Sequence, residues 1–154
     1  MKNKYCISKR LTINSAAERV FSVLSDIESW NSWTKSITHI SFVGNSKFEV
    51  GGRARVLQPN LPPAIWTITE IIENNSFTWQ TKTFGVKTTA KHILIKANDE
   101  TVAELKIIFE GILAPLVYKL KSKLTAQYLT MEINGLKSEC EKNYKPTTNT
   151  DSTR

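Results

Sequence analysis

The sequence is poor in the residues that carry most enzyme chemistry. Its two cysteines, Cys6 and Cys140, lie at opposite ends of 154 residues and show no metal-ligand or redox spacing. They read as reduced thiols, with a bridge between them left open geometrically. Only two histidines, His39 and His92, and three aspartates, Asp26, Asp99 and Asp151, are present. GxSxG, P-loop, GxGxxG, HExxH and EF-hand patterns are all missing. Gly51-Gly52 is too short to cradle a phosphate and no helical pattern follows it, so it reads as a hairpin turn. Metal, nucleotide and covalent-hydrolase mechanisms therefore lack support, and neither a cofactor nor a metal is expected.

Long apolar runs are missing too. The longest, Ile112-Leu113-Ala114-Pro115-Leu116-Val117, is far too short to span a bilayer. The basic start Met1-Lys2-Asn3-Lys4 is not followed by an apolar stretch, which argues against a signal peptide and makes the cytoplasm the expected location. The formal charge is +7, which raises nucleic acid or an anionic surface as a partner. The Lys and Arg residues are scattered, however, without a run of five or six and without a nucleic-acid-binding motif. Specific nucleic-acid binding is therefore not expected, whereas transient contact with anionic ligands or surfaces stays open. Lys119, Lys121 and Lys123 do not share one helix face and read mainly as a solvated side.

What the sequence does contain is a regular alternation of periods. Residues 4–13 read as a strand on the parity of Tyr5, Ile7, Leu11 and Ile13. Ser15 and Glu18 have capping-box spacing, and a helix over 15–26 follows with Ala17, Val20, Phe21 and Leu24 on its apolar face. A short helical turn carries Trp30 and Trp33. From residue 37 the period becomes two, predicting strands at 37–44, 52–58, 64–73, 76–83, 87–97 and 100–110. Asn74-Asn75 and Asn98-Asp99 suit tight hairpins because Asn and Asp tolerate positive φ. Strands joined so closely must be mostly antiparallel. Beyond Gly111 and Pro115 a long helix runs to about residue 142, with Leu113, Leu116, Val117, Leu120, Leu124, Tyr128, Met131, Leu136 and Cys140 at three- and four-residue steps. Residues 1–142 are expected to form one domain, and the polar tail 143–154 reads as disordered.

The expected fold class is α+β: a curved antiparallel sheet of about seven strands around a long C-terminal helix, with two short helices after strand 1. A curled sheet and one helix cannot fill the space between them, which predicts an internal cavity. Its expected lining is Trp33, Trp66, Ile68, Trp79, His92, Leu94, Leu105, Ile107 and Phe109, with Leu113, Leu116, Val117, Leu120 and Leu124 from the helix. Each aromatic among them can equally serve as core. His92 points inward if Ala90 and Leu94 set the inner parity, and outward if Ile93 and Ile95 do. Facing inward, it either bonds a buried backbone group or meets a ligand as a general acid or base. His39, near a strand start, is a weaker candidate.

This order of elements resembles the START-like, or SRPBCC, helix-grip proteins, specifically their polyketide cyclase/dehydrase-like branch. The resemblance rests on Ala17-Glu18-Arg19-Val20-Phe21-Ser22-Val23-Leu24-Ser25-Asp26 with Trp33, and on Val50-Gly51-Gly52-Arg53-Ala54. It continues through Thr69-Glu70-Ile71 with Phe77-Thr78-Trp79, Ala90-Lys91-His92-Ile93-Leu94, and Phe109-Glu110-Gly111-Ile112-Leu113-Ala114-Pro115-Leu116. It covers about residues 5–142. Ile93 stands where that branch usually has Arg or another polar residue after its His. The resemblance implies an internal apolar cavity and a hydrophobic or amphipathic small-molecule partner. It also implies two alternatives: a polyketide cyclase- or dehydratase-like enzyme in which His92 moves a proton, and a protein-interaction domain of co-chaperone type.

Overall fold

The alternating segments fold as strands because each can turn one parity inward. In the computed structural model, which describes residues 3–143, Ala54 and Val56 are buried while Arg53 and Arg55 between them are exposed. The elements are β1 (Lys4–Ile13), α1 (Ala17–Ser25), a 3-10 helix (Ile27–Ser32), β2 (His39–Phe42), β3 (Arg53–Leu57), β4 (Ala64–Ile72), β5 (Ser76–Thr83), β6 (Val86–Ala97), β7 (Glu100–Glu110) and α2 (Ala114–Cys140). Seven strands make one antiparallel sheet in the order β1-β7-β6-β5-β4-β3-β2. The sheet is curved and α2 lies against it, in a helix-grip arrangement. Asn74 and Asn98 take φ of 60° and 59° in the turns where Asn chemistry was expected.

A bulge at Thr69 bends β4: Ile68 pairs with Trp79, but Glu70 already pairs with Thr78. The extra residue shifts the inward parity, so Trp66 and Ile68 face the core before the bulge and Ile71 packs against it after. On the outer face, Glu104 of β7 is gripped by Lys106 at 2.8 Å and by Arg10, its cross-strand partner on β1. Lys106 first, then Arg10, holds the Glu104 carboxyl below its usual range against the opposing effect of burial.

Two local expectations are corrected. The capping box does not form: Ala16 caps α1 and no side chain bonds to the helix start. Glu18 reaches Lys96 on β6 at 2.7 Å, and the Ser15 carbonyl accepts a hydrogen bond from Thr101 at 2.8 Å. Partners across the fold displace the local cap. The helix accordingly begins at Ala17 and ends at Ser25, inside the predicted 15–26.

The second correction concerns α2. The expected stripe is its buried side only in part: Tyr128, Leu136 and Cys140 are buried, but Leu116, Leu120 and Met131 are exposed. The buried positions are Ala114, Tyr128, Leu129, Glu132, Ile133, Leu136 and Cys140. The C-terminal half packs on β1, β7 and α1, which rotates the leucines of the first turns away from the sheet. Lys137 donates to the Thr12 carbonyl at 2.9 Å, and the Asn14 N–H donates to Glu141 at 2.7 Å.

Cys6 is exposed on β1, Cys140 is buried, and both are free thiols. Burial pushes the Cys140 thiol up to about 12. No helix among the described residues is long and apolar enough to cross a membrane. The expected tail lies outside the described residues beyond Asn143.

Gly135 sets how closely α2 approaches the 3-10 turn. A Cβ there would stand 2.1 Å from the Trp33 carbonyl oxygen. Helix propensity alone makes Gly→Ala favourable by about 1 kcal/mol. We expect Gly135→Ala to lose roughly 1–3 kcal/mol instead, because backbone must move. Urea denaturation measures this, and a midpoint equal to or above the parent's would refute the close approach.

Candidate functional site

The inner face of the sheet divides into a filled half and an open half. Trp30, from the 3-10 helix, anchors the filled half by donating its indole N–H to the Leu24 carbonyl at 3.0 Å. Its ring centre lies 5.3 Å from both Trp79 and His92, and 6.1 Å from Phe77. Trp66 leans on Trp79 at 5.5 Å, and His92 stacks flat on Phe77 at 4.1 Å. Strand parity explains the set: Trp66, Phe77, Trp79 and His92 are all inward positions of β4, β5 and β6. Ala90 and Leu94 are buried with His92, so the first of the two registers considered for β6 is the one adopted.

Two adjoining spaces occupy the open half. The inner chamber, of about 50 Å³, is lined by Trp30, Ile37, Val56, Trp66, Trp79, Ala90, His92 and Leu105, among others. The outer cavity, of about 260 Å³, lies between α2, β4–β7 and the β3–β4 loop. Gln58, Trp66, Ile107, Leu129 and Glu132 line both. The outer walls are Leu61, Pro62, Ala64, Trp66, Ile107, Phe109, Val117 and Leu129, with Thr81, Thr83, Thr88, Thr125, Tyr128 and Lys121 adding polar groups. Tyr128 donates its hydroxyl to the Pro59 carbonyl, tying α2 to that loop. The larger space approaches the size of small-ligand pockets, whereas the smaller has room for little more than water.

His92 and Glu132 meet at the wall of the inner chamber. His92 Nε2 is 3.3 Å from Glu132 Oε1, and Nδ1 is 3.4 Å from the Phe77 carbonyl oxygen. A carbonyl oxygen only accepts, so Nδ1 carries a proton. The Nε2–Oε1 contact then needs a second proton, held either by an imidazolium or by a neutral carboxyl. Both arrangements leave the pair with no net charge, which is what a buried site tolerates. The pair sets an imidazole and a carboxyl side by side in the wall of the inner chamber, with Glu132 also bordering the outer cavity.

The structure distributes the expected lining unevenly. Trp66 and Ile107 border both spaces, Trp79, His92 and Leu105 the inner one, and Phe109 and Val117 the outer one. Ile68 and Leu94 belong to the packed core. Trp33 packs on Trp30 and faces a separate polar cleft beside α1. Leu113 packs against Val86, Phe109 and Ala114 at the end of the sheet. Leu124 is half-buried and lines neither space, and Leu116 and Leu120 point outward. His39 is exposed at the start of β2.

Sequence reasoning missed Gln58, Leu61, Thr88, Thr125, Leu129, Glu132 and Lys121, the last of which was assigned to solvent. Only Glu132 carried a usable signal, being a carboxylate set among Leu129, Ile133 and Leu136, which recur at helical spacing. Among the described residues no group of His, Cys, Asp and Glu could hold a metal ion.

A family model described as polyketide cyclase/dehydrase and lipid transport matches residues 5–141. Among solved structures, norcoclaurine synthase from Thalictrum flavum, in complex with dopamine and hydroxybenzaldehyde, superposes with a TM-score of 0.73 at 12% identity, covering 94% of this chain and 90% of that one. A START superfamily protein from Mycobacterium smegmatis gives 0.68 at 18% identity, covering 89% and 97%. A hypothetical protein from Helicobacter pylori gives 0.75 at 12% identity, covering 88% of each. No curated protein sequence matches. At these identities the solved structures establish the fold alone.

The Nε2–Oε1 contact makes the two side chains interdependent. His92→Phe and Glu132→Leu should each cost about 1–3 kcal/mol by stranding the partner's polar group. The double variant should lose at least ~1 kcal/mol less than the sum. Additive losses in a denaturation double-mutant cycle would show that the two do not interact.

Proposed function

The chain belongs to the polyketide cyclase/dehydrase and lipid transport family, and from that premise we propose that it binds one small hydrophobic or amphipathic molecule, lipid- or polyketide-like, between sheet and α2. Residues 1–142 are read as one ligand-binding domain. The observation that carries the reading is the cavity of about 260 Å³, whose apolar walls are interrupted by a few placed polar groups. Removing about 200 Å² of apolar ligand surface from water would contribute roughly 5 kcal/mol before the entropy of association is subtracted. The threonines, Gln58 and Lys121 would orient the ligand's polar end.

A second reading is favoured by the His92–Glu132 pair. In it the same cavity holds a polyketide-like or aromatic substrate, and the shared proton serves general acid/base catalysis. The pair borders the inner chamber, so the reacting atom would have to reach past Trp66 and Leu129.

Thermal-shift screening against lipids, flavonoids and polyketide mimics tests the binding reading. At least one class should raise the midpoint, and Thr125→Trp, which fills the outer cavity, should weaken that ligand at least about tenfold. No shift from any class would refute it. For the catalytic reading, His92→Phe should lower turnover about 100-fold or more while ligand affinity changes little. Unaltered turnover would remove His92 from the chemistry.

A further inference from the structure

Around the mouth of the outer cavity stands a set of exposed apolar side chains that neither the core nor the cavity uses. Of the residues that line this cavity, Pro62 of the β3–β4 loop and Thr83 on β5 are exposed and Leu61, Val117 and Lys121 are half-buried, which puts its opening between that loop, the end of β5 and the first half of α2. Phe84, the next residue after Thr83, is 92% exposed at the β5–β6 turn. Ile112 is 80% exposed just before α2, and Leu116 and Leu120 are 52% and 67% exposed on it. Four-residue spacing puts Leu116 and Leu120 on one helix face. The Leu113 N–H donates to the Gly85 carbonyl at 3.1 Å, which fastens the β5–β6 turn to the entry of α2. Phe84 and the helix leucines therefore belong to one neighbourhood. So many large exposed apolar groups in one place mark a contact surface.

The frame of this patch has one sign of charge. Lys82, Lys119, Lys121 and Lys123 surround it, and none pairs with a carboxylate among the described residues. Neither residues 111–131 nor the loop 58–63 contains an Asp or Glu. The nearest acids are engaged elsewhere: Glu110 pairs with Lys87, and Glu132 turns inward to His92. Apolar side chains bordered by unpaired lysines, with the neighbouring Glu110 matched by Lys87, are the chemistry of attachment to an anionic bilayer, where the apolar groups enter the headgroup boundary and the lysines meet phosphates. A protein partner would not require acids to be missing from both the α2 stretch 111–131 and the loop 58–63.

We propose that this rim docks on an anionic lipid bilayer through Phe84, Ile112, Leu116 and Leu120, so that the cavity mouth opens onto the membrane. The docking stands on the patch itself; its use, passing a ligand between bilayer and cavity, rests on the binding reading.

Cosedimentation of the purified chain with vesicles of phosphatidylcholine, alone or mixed with phosphatidylserine, tests this. The chain should bind the mixed vesicles and bind less as salt rises. Phe84→Asp with Leu120→Asp should lower partitioning at least about tenfold. Lys119→Gln with Lys123→Gln should lower it about fivefold per lysine. All four positions are exposed, and an unchanged thermal midpoint checks that the variants fold. Thr125→Trp should lose the soluble ligand yet still sediment, which separates a failed docking surface from a failed cavity. Three results would overturn the proposal: no binding to the mixed vesicles, binding indifferent to Phe84→Asp with Leu120→Asp, or a dimer or protein complex abolished by that pair without any vesicle binding.

Discussion

A mismatch of widths governs this molecule. Seven strands about 4.8 Å apart make a sheet roughly 29 Å wide, and one helix with its side chains covers only about 10–12 Å. Curling the sheet narrows the gap without closing it. The helix resolves the mismatch by leaning to one side, against β1, β7 and α1. Lys137, Glu141 and the close contact of Gly135 with Trp33 hold it there. Aromatic side chains fill part of what remains, and the rest is cavity. The open half lies where α2 stands off from β4 and β5.

The aromatic block and the His92–Glu132 pair are one construction. His92 is pressed between Phe77 and Trp30, which fixes its ring plane and aims Nε2 at Glu132. Exchanging a buried ionic pair for packed apolar residues is often neutral or stabilising. Stability therefore gives little reason for a carboxylate and an imidazole in this wall. A ligand's polar group, or a proton to be moved, gives a better one. The tilt of α2 also places Lys121 and Thr125 at the cavity and leaves Leu116 and Leu120 facing water. The helix gives the pocket both polar residues and the apolar Val117 and Leu129.

Much of this was legible in the sequence. Period-two alternation located the strands to within a few residues, and the Asn turns named two hairpins. Inward parity brought Trp66, Trp79, Leu105, Ile107 and Phe109 to the side of the sheet that holds the spaces, while the register of β6, and with it the facing of His92, stayed open until the structure. The facing of α2 was not legible. Its N-terminal half carries leucines at helical spacing, which looks like a buried stripe, but periodicity does not say which stripe a neighbour will cover. Ser15 and Glu18 illustrate the same limit on a smaller scale, since Thr101 and Lys96 claim them from strands more than 75 residues away.

The sequence by itself determined the order of elements, the antiparallel connections and the inner face of most strands, β6 and the bulged end of β4 excepted, because side-chain alternation and turn chemistry act over a few neighbouring residues. It also determined that a cavity must exist, since one helix cannot cover so many strands. Only the tertiary structure decided where that cavity lies, that His92 meets Glu132, and that the first leucines of α2 face outward. Those outcomes depend on the rotation and lean of a helix, set by long-range contacts at its far end that no local pattern encodes.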